Sequence, residues 1–200
     1  MLSLPKEDAN MTKRVPIGVS ARHIHLSAEH IRILFGPGYE LQPIKPLSQP
    51  GQFAAAETVA VVGPKGRFDK VRILGPARKL SQLEISRTDT YTLGIDAPVR
   101  ESGDIAGTPG VKVIGPAGEV QLEEGVIVAL RHIHFAPEDA ARWGIRDKQM
   151  LKVRVGGERA VVFEQVLARV SDKFALDMHI DTDEANAAGI KTGDYGEIID

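Results

Sequence analysis

The sequence contains no cysteine, so disulfide bridges, thiolate zinc sites and a covalent cysteine thioester are all excluded. It also lacks a long hydrophobic run: no stretch approaches the roughly 18 apolar residues that a membrane-spanning helix requires, and no signal-peptide pattern opens the chain. Charge of one sign is not in excess, because 25 basic and 27 acidic residues give a net charge of -2. This balance argues against nucleic acid as the main partner. The absence of cysteine fits a reducing, cytosolic setting.

The chain has 200 residues, which is enough for one large or two small domains with their own hydrophobic cores. Its 20 glycines and 12 prolines are spread along the sequence, and the apolar runs between them are short. Short apolar runs separated by turn residues are typical of β-strands. The composition therefore predicts a barrel or a sandwich of many short strands.

One tetrapeptide occurs twice. Arg-His-Ile-His stands at residues 22–25 and again at 131–134, and an acid follows the second histidine by four residues both times. A partial third copy begins at His179, which precedes an acid by four residues and a Gly-Ile pair by ten, as His134 does. Five of the six histidines lie in these copies. Repeated loops of this kind indicate a metal centre.

The geometry of a strand explains why histidines at positions i and i+2 suit a metal. Both side chains point to the same face, so two imidazoles reach one ion without distortion of the backbone. Neutral imidazole suits zinc and similar first-row metals, and a catalytic zinc takes three protein ligands. Two such sites need six ligands, one more than the five histidines supply. Glu84 on the alternating strand over 82–86 is the first candidate, although its spacing leaves other carboxylates open.

Other residues near the repeats have a structural interpretation. Each His-x-His pair follows a predicted strand and precedes a predicted helical turn, such as the helix expected over 28–35. Glu29, Glu138 and Asp183 then stand at helix N-termini, where negative charge is favoured, and we interpret them as helix-stabilising residues. His30 lies outside the repeat pattern and is interpreted as structural. The ligands are therefore expected at strand ends beside helix N-termini, where an anion can bind together with a metal.

Three segments resemble a known family. Val-Ser-Ala-Arg-His-Ile-His-Leu-Ser at 19–27, Arg-His-Ile-His-Phe-Ala-Pro-Glu-Asp-Ala at 131–140 and Met-His-Ile-Asp-Thr-Asp-Glu-Ala-Asn-Ala-Ala-Gly at 178–189 are similar to the phosphotransacylases of the propanediol-utilisation (PduL) type. The resemblance covers roughly residues 15–200. It implies a phosphate propanoyltransferase or acetyltransferase, which interconverts short-chain acyl-CoA (propionyl-CoA, acetyl-CoA) plus phosphate with acyl phosphate plus CoA.

The resemblance also implies which residues form the site. Two zinc ions form a dinuclear centre, one held by His23, His25 and Glu84 and the other by His132, His134 and His179. Arg78 matches the arginine that engages phosphate. The candidate CoA contacts are Val19, Ser20, Lys65, Arg72 and Asn186.

The fold implied by the resemblance is all-β with short helices, in which two β-barrel domains exchange an N-terminal strand and the active site lies at their junction. One barrel takes residues 12–21 and 130–200, the other takes 22–129, and residues 1–11 form a flexible tail. The expected assembly is a homodimer. The expected location is the lumen of a bacterial microcompartment, with shell or core partners bound through an N-terminal extension, or the cytoplasm if that extension is absent.

Three other protein classes share parts of this pattern. A bicupin-like metalloenzyme needs another histidine a few strands after each pair, and no histidine lies between His30 and His132. A metal-dependent amidohydrolase is built on an eight-stranded α/β barrel, which usually needs about 250 residues. A non-catalytic zinc-binding or shell-adaptor protein stays open as the alternative, and metal binding without CoA affinity would favour it.

Overall fold

The computed structural model describes residues 12–199, so the tail predicted at 1–11 lies outside the described residues. Over this range the chain forms fifteen short strands and four short helices. The strands are β1 (Arg14–Ser20), β2 (His23–His25), β3 (Pro43–Pro46), β4 (Phe53–Val62), β5 (Arg67–Gly75), β6 (Gln82–Glu84), β7 (Val99–Arg100), β8 (Val111–Ile114), β9 (Glu119–Leu122), β10 (Val126–Ala129), β11 (His132–Phe135), β12 (Met150–Val155), β13 (Val161–Val170), β14 (Asp177–Asp181) and β15 (Tyr195–Ile199). The helices are α1 (Ala28–Phe35), α2 (Arg87–Leu93), α3 (Pro137–Trp143) and α4 (Thr182–Ala188).

Six strands close into a barrel in the order β1-β14-β11-β13-β12-β15. Exposed and buried residues alternate along β12, as expected when one face of a strand packs on a core and the other meets solvent. Strand β1 lies far from its partners in sequence, and it pairs in parallel with β14 and antiparallel with β15. The interior is filled by fully buried apolar side chains such as Ile17, Phe135 and Met178.

The other nine strands of the described chain form one sheet in the order β7-β10-β6-β2-β5-β4-β8-β9, with β3 paired to β4. Tight turns at Gly63–Gly66 and Gly115–Gly118 join antiparallel neighbours, as their Gly-Pro sequences predict. A second core, which includes Ile24, Leu34 and Ile73, packs against this sheet. The predicted mostly β fold with short helices is confirmed; one unit is a closed barrel and the other a half-barrel sheet. The domain boundaries near residues 21 and 130 stay a prediction.

The helices are short and begin at capping residues. Ser27 caps α1 as predicted, since its hydroxyl accepts the N–H of His30 at 3.2 Å. Helix α2 was not predicted: the strand expected over 82–86 ends at Glu84, because Ser86 caps a helix instead. No helix within residues 12–199 is long and apolar enough to cross a membrane.

Side-chain contacts join the barrel to the sheet. The amide of Gln49, which is only 2% exposed, pairs with both backbone groups of Ala175, donating to the carbonyl at 3.0 Å and accepting the N–H at 3.2 Å. Glu101 follows β7, and its carboxylate forms ion pairs with two cations of the barrel, Lys148 Nζ at 2.7 Å and Arg169 Nε at 3.1 Å. These buried and charged contacts fix the relative position of the two strand systems, between which the candidate site lies.

Candidate metal centre and active site

Two histidines and a glutamate converge between β2 and β6, where His23 lies opposite Glu84 in an antiparallel pair. His23 Nδ1 donates to the Ala21 carbonyl at 2.9 Å, and His25 Nδ1 donates to the Leu74 carbonyl at 3.1 Å. In the neutral rings these bonds place the proton on Nδ1 and leave the lone pair on Nε2. The two Nε2 atoms lie 3.5 and 3.9 Å from the carboxylate oxygens of Glu84. Three ligand atoms therefore face one point.

The Glu84 carboxylate is fixed by two polar neighbours, because its Oε1 accepts from Gln82 Nε2 at 2.6 Å and from the Ser102 hydroxyl at 2.8 Å. Burial opposes charge on both Glu84 and His23, but their mutual attraction outweighs it. The pKa of Glu84 therefore lies well below its usual value, and the pKa of His23 is raised. Burial and the neighbouring His23 lower the pKa of His25 to about 3. The ionised Glu84 carboxylate and the neutral His25 imidazole are the forms that bind a divalent metal, and a bound metal would replace the proton that Glu84 favours on His23.

Three histidines form the second cluster on the barrel strands β11 and β14, where His132 lies opposite His179. His132 Nδ1 donates to the Leu130 carbonyl at 2.8 Å, and His179 Nε2 donates to the Asp177 carboxylate at 3.0 Å. These bonds leave Nε2 of His132 and Nδ1 of His179 for a further partner. The ring centroid of His134 lies 4.6 Å from that of His132 and 4.8 Å from that of His179. The centroids of His132 and His179 lie 5.2 Å apart.

The surroundings of the His134 ring show whether this cluster fits a metal. Its Nδ1 is buried and has no hydrogen-bond partner among residues 12–199. A buried polar atom left unpaired costs roughly 1–3 kcal/mol. Burial and the neighbouring imidazoles lower the pKa of His134 to about 2 and that of His132 to about 4, so both rings are neutral at physiological pH. The neutral imidazole is the form of histidine that binds a metal, so the cluster fits a cation between the three rings.

Both clusters have the composition of catalytic zinc sites. In each set, one ligand atom per residue lies within 4.8 Å of the others. Two histidines with a glutamate, and three histidines, both occur in sites that leave a fourth position open for substrate. Bonds from the second imidazole nitrogen to a carbonyl or carboxylate orient such rings. The structure thus brings together the six residues predicted as ligands, namely His23, His25, Glu84, His132, His134 and His179.

The two clusters share one construction. The His-x-His strand pairs in parallel with one neighbour, β5 for β2 and β13 for β11. It pairs antiparallel with the strand that carries the third ligand, β6 for β2 and β14 for β11. The third ligand lies directly opposite the first histidine both times. The repeat in the sequence therefore corresponds to a repeat in the structure.

Both clusters line a single cavity of about 770 Å³ between the barrel and the sheet. Its volume lies in the range of pockets that hold small molecules and cofactors. Its lining includes Val19, Ser20, Arg72 and Arg78 as well as all six candidate ligands.

Two of the predicted CoA contacts lie elsewhere. Lys65 is exposed in the Gly63–Gly66 turn, and Asn186 is exposed on α4; neither residue lines the cavity. Their assignment to CoA stays a prediction.

Comparison with known proteins assigns the family. A family model described as phosphate propanoyltransferase matches residues 16–191. The chain belongs to the phosphate propanoyltransferase family. A phosphate propanoyltransferase of Thermotoga maritima is 56% identical over 185 residues, which cover 92% of this chain and 88% of the relative. A phosphate propanoyltransferase of Listeria monocytogenes is 51% identical over 185 residues, which cover 92% and 87%. Membership supports transfer of an acyl group between CoA and phosphate, so the chain is an acyltransferase.

Arg78 lies beside the first cluster of this family member. Its backbone N–H donates to the Leu26 carbonyl at 2.9 Å, next to the His-x-His strand, and its Nη1 donates to the Ser102 hydroxyl at 3.3 Å. No carboxylate among the described residues lies within 4 Å of the guanidinium. Burial lowers the pKa of Arg78, and nearby Glu84 opposes that effect. The group stays cationic at neutral pH, and it faces a cavity suited to an anion.

The sequence did not predict several residues of the candidate site. Arg169 lines the cavity, and its charge further lowers the pKa of Arg78. Ser102 links Arg78 to Glu84, and Asp177 orients His179. These residues lie outside the repeated motifs, so no spacing marked them.

Gly18 allows the close approach of β1 to the second cluster. It lies opposite His179, and a Cβ at this position would be 3.1 Å from Asp177 Oδ2 and 3.2 Å from His179 Cδ2. Gly18→Ala therefore displaces the imidazole, and we expect a loss of metal affinity of about tenfold at this cluster alone. Competition titration with a chelator measures the loss. The matched control is Gly156→Ala, because a Cβ at Gly156 meets no atom within 4 Å. Equal affinity in the two variants would contradict this account.

Proposed function

We propose that this phosphate propanoyltransferase transfers propionyl and acetyl groups between CoA and phosphate in the cavity between barrel and sheet, with two zinc ions as cofactors. The observation that supports this proposal is the pair of three-ligand clusters that share one cavity with Arg78. His23, His25 and Glu84 would hold one ion, and His132, His134 and His179 the other. When bound, such ions supply Lewis acidity toward oxygen and sulfur atoms that carry negative charge.

Phosphate binding is assigned to two guanidinium groups. Arg78 has no carboxylate partner within 4 Å among the described residues, and its planar fork matches two phosphate oxygens. Arg169 is held through Nε by Glu101 at 3.1 Å, which leaves its terminal nitrogens for a ligand. The two like charges lie close enough for Arg169 to lower the pKa of Arg78. A phosphate dianion between them would relieve this repulsion.

The CoA moiety is assigned to the mouth of the same cavity. Val19, Ser20 and Arg72 line it, and Lys45 on the exposed strand β3 adds a further positive charge. Arg72 is held in place because its Nη1 donates to the carbonyls of Ala55 and Ala56. Positive charges at this position suit the phosphates of CoA. The apolar wall at Phe174, whose ring centroid lies 4.4 Å from that of His134, suits a short acyl chain.

The reaction forms one bond and breaks another. A phosphate oxygen bonds to the acyl carbon, the carbon–sulfur bond breaks, and CoA leaves as thiolate with the electron pair of that bond. Arg78 and Arg169 would orient the phosphate for this attack, which converts a bimolecular encounter into a positioned one. Because the chain has no cysteine, we propose direct transfer without a cysteine-bound acyl intermediate.

Removal of metal provides the test of this function. Purified protein is incubated with phosphate and either acetyl-CoA or propionyl-CoA, and free CoA is measured before and after treatment with a chelator. We expect phosphate-dependent CoA release that disappears on chelation and returns when zinc is added. Magnesium added at the same concentration is the control, since it prefers oxygen ligands and octahedral geometry. A folded, zinc-loaded sample that releases no CoA would favour a non-catalytic zinc-binding protein.

The assembly and location stay predictions. We propose a homodimer, located either in the lumen of a bacterial microcompartment or in the cytoplasm.

A further inference from the structure

An arginine precedes both His-x-His pairs, and each makes the same kind of contact. Arg22 forms a two-point ion pair with Asp89, with Nε 3.0 Å from Oδ2 and Nη2 2.6 Å from Oδ1. Asp89 is only 4% exposed, and the guanidinium carbon of Arg22 lies 4.1 Å from the ring centroid of Phe68. A buried carboxylate paired in this way holds the arginine in one geometry.

Arg131 repeats the arrangement in the barrel. Its Nη1 lies 2.7 Å from Glu184 Oε1, and its guanidinium carbon lies 5.5 Å from the ring centroid of Phe163. Its Nε donates to the Glu164 carbonyl at 2.7 Å. The second copy of the tetrapeptide therefore has its own acid and its own aromatic ring.

The two acids occupy equivalent positions. Asp89 is the third residue of α2, and Glu184 is the third residue of α4. Both close a capping box, with Ser86 and Asp181 respectively. Each helix follows the strand that carries the third ligand of the nearby cluster, β6 for α2 and β14 for α4. Arg22 thus connects the residues before β2 to the helix after β6, and Arg131 connects the residues before β11 to the helix after β14.

The same segment orients the first histidine. The carbonyl that accepts from His23 Nδ1 belongs to Ala21, and the one that accepts from His132 Nδ1 belongs to Leu130. In both copies this carbonyl lies directly before the arginine in sequence. Fixing the arginine side chain therefore fixes the peptide group that sets the orientation of the imidazole.

We infer that the ion pairs Arg22–Asp89 and Arg131–Glu184 are two separate positioning devices, each of which sets the metal affinity of one cluster and not of the other. The inference rests on the proposed metal sites and adds that the two centres are tuned independently. The pairs share no residue, and each joins the residue before one His-x-His strand to the helix after the third-ligand strand of the same cluster. The two helices touch through the Thr88 N–H, which donates to Asp183 Oδ2 at 2.7 Å, but neither arginine takes part in that bond. Loss of residues that orient metal ligands typically costs 10–100-fold in metal affinity.

A crossed set of variants tests the inference in full-length protein. His134→Ala leaves only the first cluster complete, and His25→Ala leaves only the second. Arg22→Gln and Arg131→Gln are placed in each background, and Zn²⁺ affinity is measured by competition with a chromogenic chelator. We expect Arg22→Gln to weaken binding about 10–100-fold in the His134→Ala protein only, and Arg131→Gln to do so in the His25→Ala protein only. In this design each arginine variant is the control for the other.

The outcomes separate this inference from the metal sites themselves. If neither background binds Zn²⁺ while circular dichroism shows a folded protein, the metal proposal is wrong. Two outcomes overturn the independent positioning when both backgrounds bind Zn²⁺. In one, each arginine variant weakens Zn²⁺ binding equally in both backgrounds; in the other, neither variant weakens it in either background. Arg22→Lys and Arg131→Lys, which keep the charge without the planar fork, replace the glutamine variants if those fail to fold; the same crossed pattern with a smaller loss is then expected.

Discussion

His132→Ala is expected to lower the turnover of acyl transfer about a thousandfold and to lower the bound zinc from two ions per chain to one. His132 belongs to the second cluster: its ring centroid lies 4.6 Å from that of His134 and 5.2 Å from that of His179. Without it, two imidazoles remain, and catalytic zinc sites use three protein ligands. The loss of a metal that stabilises transition-state charge is worth several kcal/mol, which corresponds to about a thousandfold in turnover.

Metal analysis by mass spectrometry and the CoA-release assay measure both effects. His30→Ala is the matched control, because this sixth histidine lies on α1 and bonds Ser81 at 2.6 Å, outside both clusters. We expect that variant to keep two zinc ions per chain and nearly full turnover. Full zinc occupancy in folded His132→Ala protein would contradict the assigned ligand set.

Arg78→Ala is expected to keep both metals and to lower kcat/KM for phosphate by ~10- to 100-fold. The guanidinium is the cationic group beside the first cluster, and hydrogen bonds to charged groups are worth about 1.5–3 kcal/mol. Because Arg78 bonds only indirectly to Glu84, through Ser102, its removal leaves the ligands in place. The loss should therefore appear in the phosphate dependence of the rate at saturating acyl-CoA.

Two further variants sharpen this measurement. Arg154→Ala removes a guanidinium from the exposed face of β12, and we expect it to leave the phosphate KM unchanged. Arg78→Lys keeps the charge without the two-pronged geometry, so an intermediate effect is expected. If the phosphate KM of Arg78→Ala equals that of the unmodified protein, Arg78 does not bind phosphate.

The sequence repeat predicts the architecture of the site because strand geometry is local. Histidines at i and i+2 face the same side of any strand, so the pairing of His23 with His25 follows from their spacing alone. Glu84 lies in a similar, weaker copy of the repeat. It precedes a Gly-Ile pair by ten residues, at Gly94, as His179 does at Gly189. This fourth copy marks Glu84 as the equivalent of His179 and predicts the helix α2 between.

The contacts between the repeats were beyond prediction from one sequence. Gln49 and Ala175 are separated by 126 positions, and Arg22 and Asp89 by 67. Nothing in their local patterns indicates that they meet, because such pairs depend on how distant segments of the chain pack against each other. Arg169 is a further example, since an arginine on a β-strand gives no sign of whether it faces solvent or a cavity.

The position of β1 has a consequence for synthesis on the ribosome. The Val19 N–H donates to the hydroxyl of Thr192, 173 positions later. At typical translation rates this interval lasts roughly 9–35 s. The partner β14 is made only toward its end, and the partner β15 only after it. The strands of the half-barrel sheet, β2 to β10, are contiguous in sequence and can pair during that time. Pro16 and Gly18 within β1 disfavour premature pairing of the waiting strand with other chains. The barrel can therefore close only after β14 and β15 have been made, when the strands of the sheet are already available for pairing.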